Sequence, residues 1–170
     1  MAASVLLEGG PGALTMERLA EHAGVSKALP YRHFADADAV LVALYQRETI
    51  ALGRAVHAAL SGAPAGADLA RVSVRAYLDA LLPRRDLLTA LSSPGRAIPA
   101  LADPGDEATR FSASILREFH GLDRAHARAV AGMVQGAIAG AAGTLLAGAA
   151  PRKRIEDALV AMLRAALATS

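Results

Sequence analysis

The side chains best suited to chemistry concentrate in one short stretch of the chain. Within eight residues lie hydroxyl, imidazole and cationic groups, namely Ser26, Lys27, Tyr31, Arg32 and His33. Hydroxyl and imidazole groups, like the free amides at the start of a helix, can bind phosphate oxygens. Their spacing therefore indicates a surface that can hold phosphates, provided that short helices present these groups together.

Patterns typical of catalysis are absent from the sequence. It has no G-x-S-x-G nucleophile elbow, no P-loop and no Rossmann glycine fingerprint. The absence of cysteine excludes a thiol nucleophile and a zinc ribbon, and it fits a reducing cytoplasm. His120, Asp123 and His126 straddle Gly121 and lack a fourth ligand, so they make a poor metal site. We expect no enzyme, no metal and no cofactor.

Composition favours an all-α fold. Of 170 residues, 42 are alanine, 54% are hydrophobic and only 4% are aromatic. Alanine favours helices and is depleted in strands, and the apolar share is too high for disorder. The net charge of +2 is too small to argue for nucleic acid by itself. The uncharged stretch 129–150 is rich in Ala and Gly and contains Gln135, which favours a buried helix over a membrane span.

Turn signals divide the chain into about nine predicted helices. Thr15 and Ser26 are candidate N-caps, and 92–105 is the longest irregular piece. A long helix connects a small N-terminal domain, 1–45, to a larger one, 46–170. The predicted helices are 2–8, 15–23, 26–34, 36–60, 68–82, 84–91, 106–120, 123–149 and 152–168.

Two of the short helices have the form of a helix-turn-helix. The turn is Ala23-Gly24-Val25, and the second helix of such a motif enters the DNA major groove. The run from Leu14 to Phe34, LTMERLAEHAGVSKALPYRHF, resembles the DNA-binding segment of the TetR family of bacterial transcriptional regulators. The following ADADAVL resembles that family's entry into its fourth helix, and the first helix is shorter than is usual there.

The resemblance implies a role for each residue of the segment. It implies that Tyr31 and His33 contact the DNA backbone, and that Thr15 caps the second helix beside a phosphate. Base edges would face Lys27, Ala28 and Leu29, of which only Lys27 can donate a hydrogen bond. The predicted DNA-binding set is Thr15, Ser26, Lys27, Ala28, Leu29, Tyr31, Arg32 and His33.

A ladder of small residues marks the predicted dimer interface. Glycine or threonine recurs every four residues from 132 to 148, which makes one smooth helical face. The resemblance implies that the last two long helices form a four-helix homodimer interface; the alternative is a contact with 68–82 in the same chain. The predicted interface residues are Gly132, Gly136, Gly140, Thr144, Gly148, Ile155, Leu159 and Met162.

The resemblance also implies an effector pocket in the larger domain. Its candidate lining is almost entirely apolar, so a small hydrophobic effector fits best, although ordinary core packing explains the same residues. The predicted lining is Tyr77, Leu81, Leu88, Leu91, Phe111, Ile115, Phe119, Met133 and Gln135.

The residues thus favour a cytoplasmic, homodimeric regulator that binds a pseudo-palindromic operator in double-stranded DNA. We expect a repressor that its effector releases from DNA. Three observations favour an alternative, a TetR-like protein that binds a ligand or partner without DNA. They are the short first helix, Ala37 where many relatives have lysine, and the charge of the N-terminal residues. Residues 1–34 carry Arg18, Lys27 and Arg32 against three glutamates, so their formal charge is zero, whereas phosphate binding favours excess Lys and Arg. A third hypothesis is a helical interaction module whose small-residue ladder is its main function.

Overall fold

A computed structural model of the chain describes residues 1–91, 107–146 and 148–168. Every regular element within these ranges is a helix, which confirms the all-α prediction. Helices of the described part are too short or too polar to cross a membrane. Most bounds agree with the expected ones within two residues. In order, the α-helices are α1 (Ala2–Gly9), α2 (Met16–Ala23), α3 (Ala28–Tyr31), α4 (Ala37–Ser61), α5 (Leu69–Leu81), α6 (Arg85–Leu91), α7 (Glu107–His120), α8 (Arg124–Leu146) and α9 (Arg152–Leu167).

The chain packs as two compact units, and the first contains the N-terminal helices. It comprises residues 1–48 and, of the later described residues, 84–91. Its apolar core joins α1, α2, the first part of α4, and α6. The buried members of that core are Val5, Leu6, Leu14, Met16, Val40, Leu41, Leu44 and Leu91.

Helix α6 departs from the predicted division at residue 45. It packs against α1, and its Leu87, Ala90 and Leu91 belong to the core of the first unit. Glu48 reinforces this packing, since its Oε2 lies 3.3 Å from Arg84 Nε, just before α6. The segment 84–91 is therefore structurally part of the first unit, although the sequence placed it in the larger domain.

The second unit comprises residues 49–83 and the described residues from 107 onward. Helix α7 packs against α8, and α9 packs against both α8 and α5. The last turns of α4 approach α7 very closely at Gly53, where an added Cβ would lie 2.8 Å from the Phe111 ring. The absence of a side chain at residue 53 thus permits that close packing.

Ion pairs join α5 to α9 along their length. Arg71 Nη1 lies 3.1 Å from Glu156 Oε1 and 3.2 Å from Asp157 Oδ1. Arg75 Nε donates to the same Glu156 oxygen at 2.8 Å. The ends of the two helices are paired as well, through Arg164 with Asp68 and Arg152 with Asp79. We refer to these contacts as the α5–α9 ladder.

Candidate nucleic-acid interface

The helix-turn-helix geometry begins with two well-formed helix ends. Thr15 is the N-cap of α2, as predicted, and its Oγ1 accepts the Arg18 N–H at 3.2 Å. At the other end Gly24 is left-handed, with φ 66° and ψ 31°. The N–H groups of Gly24 and Val25 close the turn onto the carbonyls of α2, the latter at 3.0 Å from Ala20 O. A residue with a Cβ would be strained at position 24, so glycine there fixes the direction in which the chain enters α3.

The second helix of the motif is shorter than expected, and the Ser26 cap prediction is wrong. α3 begins at Ala28, with Lys27 at the N-cap position and no side-chain cap. Pro30 provides the physical reason, because it has no N–H to donate back to the Ser26 carbonyl. The Leu29 N–H takes that carbonyl instead, at 3.0 Å.

Pro30 has a second role in shaping this turn. It is buried, and its carbonyl accepts the N–H groups of His33 at 3.0 Å and Phe34 at 2.9 Å. Seven of the eight predicted DNA-binding residues are exposed and Leu29 is half-buried. The structure therefore leaves this set accessible on the outer side of the first unit.

Glu17 is a residue of this surface that the sequence gave no reason to single out. Tyr31, 53% exposed, donates its phenol hydrogen to Glu17 Oε1 at 3.3 Å. The negative charge of Glu17 raises the pKa of the Tyr31 phenol. The pKa of the Glu17 carboxyl is lowered, mainly by a hydrogen bond from its own backbone N–H and then by the bond from the Tyr31 hydroxyl. The two residues are fourteen apart in the chain, and only the packing of α2 against α3 brings them together.

Formal charge is distributed unevenly between the two units. The described residues of the first unit contain seven carboxylates and six Lys or Arg, for a net charge of −1. Those of the second unit contain seven carboxylates and eleven Lys or Arg, for a net charge of +4. The exposed cations of the motif are few, namely Arg18 on α2 and Lys27 and Arg32 on the flanks of α3.

The predicted effector-binding residues are distributed over both units. Leu88 and Leu91 belong to the first unit, and Leu91 is part of its apolar core. The other seven predicted effector-binding residues belong to the second unit. Met133 is 66% exposed. Within the second unit, Gln135 Oε1 accepts the Thr109 hydroxyl at 3.3 Å, while the buried Gln135 Nε2 has no partner among the described residues. Whether these residues bind an effector remains a prediction.

The small-residue ladder on α8 is an exposed surface of the protomer. Gly132, Gly136 and Gly140 are exposed, and nothing lies within 4 Å of a Cβ built on any of them. Helix α5 packs against α9. The alternative of an intramolecular contact between this ladder and 68–82 is therefore not found in the described residues.

Three predicted interface residues have other positions in the structure. α8 ends at Leu146, and Gly148 lies beyond it with φ 64°, so Gly148 is part of a turn rather than the ladder. Ile155 and Leu159 are buried inside the protomer. The exposed residues of α9 include three alanines and one methionine, and also three cations. They are Lys153, Arg154, Ala158, Ala161, Met162, Arg164 and Ala165.

Comparison with known proteins supports the same assignment of the N-terminal part. Residues 1–44 match the family model for bacterial regulatory proteins of the tetR family. A protein of unknown function from Rhodococcus sp. RHA1 is similar in structure, with a TM-score of 0.61, 25% identity and coverage of 99% of this chain and 90% of that one. A protein of Pseudomonas aeruginosa PAO1, provisionally described as a transcriptional regulator, has a TM-score of 0.58 and 22% identity, with coverage of 99% and 85%. No curated protein matches the sequence.

Proposed function

Because residues 1–44 match the family model for bacterial regulatory proteins of the tetR family, we propose that the protein is a cytoplasmic transcriptional regulator that binds operator DNA. The observation that carries this proposal is the helix-turn-helix itself. Thr15 caps α2 and Gly24 closes the turn. Most of the predicted DNA-binding residues of α3 and its flanks are exposed, where a major groove could receive them. No catalytic role is proposed for the chain.

The chemistry of the exposed residues suggests how the DNA is recognised. Tyr31, Arg32 and His33 would contact phosphates, which position a protein on the duplex without reading its sequence. Lys27 is the main hydrogen-bond donor for base edges, where guanine offers two acceptors. Ala28 and Leu29 offer apolar contact, for instance with thymine methyl groups. Recognition would thus depend on few hydrogen bonds and on shape.

The exposed ladder supports a homodimer as part of this proposal. Gly132, Gly136 and Gly140 give α8 a smooth, uncharged face, and α9 exposes Ala158, Ala161 and Ala165. Each glycine inside a helix costs about 1 kcal/mol relative to alanine. Close packing of a second copy would offset that cost. A two-fold dimer would present two α3 helices to a pseudo-palindromic site.

An effector would bind in the second unit and release the protein from DNA, which makes it a repressor. The support is the apolar side chains of α7, including Phe111 and Ile115, together with the amide of Gln135, which accepts a hydrogen bond from Thr109 of the same helix α7. Such a lining fits a small hydrophobic molecule with one hydrogen-bonding group. Release requires that the effector bind more tightly to the conformation that does not fit the operator.

DNA binding is tested with purified protein and a fluorescent duplex that contains the region upstream of its own coding sequence. Anisotropy should show specific binding that exceeds binding to a scrambled duplex. The affinity should fall steeply between low and high salt, because each neutralised phosphate adds about −0.9 to the slope of log affinity against log salt. A random-sequence selection extends the search to operators elsewhere.

The charge of −1 on the first unit favours a second candidate, a ligand- or partner-binding protein that does not bind DNA. The same experiment separates the two candidates. A folded protein that binds no duplex, and selects no sequence from a random pool, would contradict the regulator and leave the second candidate.

The dimer is tested by the substitution Gly136→Leu. Open space surrounds that position in the protomer, and leucine favours a helix more than glycine does, so the folded protomer should be kept or stabilised. If a second copy packs on the ladder, leucine should convert the dimer to a monomer and weaken operator binding. Analytical ultracentrifugation measures the mass of each form.

Ser114→Leu provides the control for that substitution. Ser114 is exposed on α7, outside the ladder, so leucine there should leave the dimer intact. A dimer that survives Gly136→Leu, or a wild-type protein that is monomeric at micromolar concentration, would contradict the proposed interface.

A further inference from the structure

Glu17 and Tyr31 form a pair at the centre of the candidate interface. The phenol oxygen lies 3.3 Å from Glu17 Oε1, and both side chains are exposed. The hydroxyl of tyrosine has one hydrogen to donate. While Tyr31 donates to Glu17, it cannot donate that hydrogen to a phosphate oxygen. The pair therefore occupies the one donor by which Tyr31 could bind DNA.

The position of Glu17 favours the ionised form of its carboxyl. Glu17 lies in the first turn of α2, two residues after the Thr15 cap, where the partial positive charge of the helix end favours an anion. Its own backbone N–H is the largest influence that lowers the pKa of the carboxyl, so the group stays ionised at neutral pH. An anion is thus fixed beside the hydroxyl of Tyr31.

We propose that Glu17 is an intramolecular competitor of the DNA backbone for the Tyr31 hydroxyl, and that it sets the affinity of this surface for DNA. The inference rests on the proposed function. Tyr31 must leave Glu17 before it can donate to a phosphate, and the remaining carboxylate repels that phosphate. Since phosphate contacts carry no sequence information, Glu17 should lower the affinity for every duplex by a similar factor.

The chain supplies a matched control for this competition. Glu21 lies one turn further along α2, is also exposed, and does not bond to Tyr31 in the described contacts. Glu17→Gln and Glu21→Gln remove the same formal charge from the same helix. Only the first removes the charge beside the Tyr31 hydroxyl. Both side chains are exposed, so both variants should fold. The neutral amide oxygen of glutamine accepts a hydrogen bond more weakly than a carboxylate does, so Glu17→Gln weakens the competition for the Tyr31 hydroxyl.

The DNA experiment compares wild type, Glu17→Gln and Glu21→Gln on the operator and on a scrambled duplex at low salt. We expect Glu17→Gln to bind both duplexes roughly two- to fivefold more tightly, the range that a close exposed charge contact gives. Glu21→Gln should change binding less. Equal gains for both variants would overturn the inference in favour of a net-charge effect, and so would no gain for Glu17→Gln.

A second measurement follows the pair without DNA. The charge of Glu17 raises the pKa of Tyr31, so Glu17→Gln should lower the phenol pKa toward its ordinary value. The titration is followed by ultraviolet difference absorbance, and Tyr31→Phe identifies the Tyr31 contribution among the three tyrosines. An unchanged Tyr31 titration would show that the pair does not form and would overturn the inference.

The outcomes separate the inference from the proposed function. Wild type and Glu17→Gln that bind DNA equally would overturn the inference alone. Binding that appears only in Glu17→Gln would support it, since the competitor would then mask a functional surface. If neither form binds any duplex, the proposed function fails and the inference fails with it, whatever the Tyr31 titration shows.

Discussion

Both units of the molecule have buried apolar cores, and they differ in how their charged side chains are used. The first is joined by a core of leucine, valine and methionine side chains from α1, α2, α4 and α6. In the second, α5 and α9 are joined by the Arg–carboxylate pairs of the α5–α9 ladder. The surplus of positive charge lies in the second unit, where several arginines are already engaged with carboxylates.

This difference shows where charge is available for recognition. In the first unit, Lys27, Arg32 and His33 are exposed and no ion pair of theirs is among the described contacts. Tyr31, in contrast, is engaged with Glu17. Both units thus pair part of their cations internally: Arg47, Arg84 and Arg85 pair with carboxylates of the first unit. Net charge alone would therefore mislead, because the slightly negative first unit still presents Lys27 and Arg32 at the candidate interface.

The largest expected effect concerns the apolar core of the first unit. Leu6 is 0% exposed, and Leu6→Ala should lower the free energy of unfolding by about 2–5 kcal/mol, because it removes buried contacts and leaves a cavity. Urea denaturation measures the total change. Amide hydrogen exchange should show that α1 and α2 lose more protection than α5 and α9.

Leu7→Ala is the control in the same helix. Leu7 is 52% exposed, so this substitution should change the free energy of unfolding by no more than about 0.5 kcal/mol. If Leu6→Ala lowered the protection of both units equally, the two units would unfold cooperatively as one. The units would then differ in their packing contacts but not in their stability.

A smaller effect is expected in the α5–α9 ladder. Glu156 is buried and accepts bonds from both Arg71 and Arg75. Glu156→Gln should lower the free energy of unfolding by about 1–3 kcal/mol, since hydrogen bonds to a charged group are lost or weakened. Glu118→Gln, at an exposed pair with His57, should cost less than about 1 kcal/mol.

The same substitution should change the response to acid. Arg75, and then Arg71, lower the pKa of Glu156, and Lys153 followed by Arg71 lowers that of Asp157. A carboxyl with a lowered folded-state pKa stabilises the fold above its unfolded pKa, and this contribution is lost as pH falls through the folded pKa. Wild type should therefore lose stability below about pH 4. Glu156→Gln should lose less stability than wild type between pH 7 and 3. An identical loss of stability would contradict the role of the α5–α9 ladder.

The sequence predicted the features that depend on local interactions. The Thr15 cap and most helix bounds agree with the structure because capping and periodicity involve residues a few positions apart. The Ser26 cap was wrong for an equally local reason. Pro30 removes the N–H that a helix from Ser26 would need, and α3 is limited to one turn.

Features that depend on long-range packing were not predictable from periodicity. An apolar stripe shows that Ile155 and Leu159 face something, but not whether that is the same protomer or a partner. The packing of α6 with the first unit and the approach of Glu17 to Tyr31 have the same character. To predict any of these contacts, one must know which helices are neighbours. The residue pattern of a single helix does not contain that information.

The glycines of the second unit differ in what constrains them. Gly53 is fixed by its own protomer, because any Cβ there meets the Phe111 ring. Gly132, Gly136 and Gly140 have no such neighbour, so the isolated protomer would accept alanine at each of them. In a library of all single substitutions, intolerance at position 53 would report on folding. Intolerance along the small-residue ladder of α8 would report on assembly. The pattern of permitted residues would thus record the oligomeric state without a direct measurement of mass.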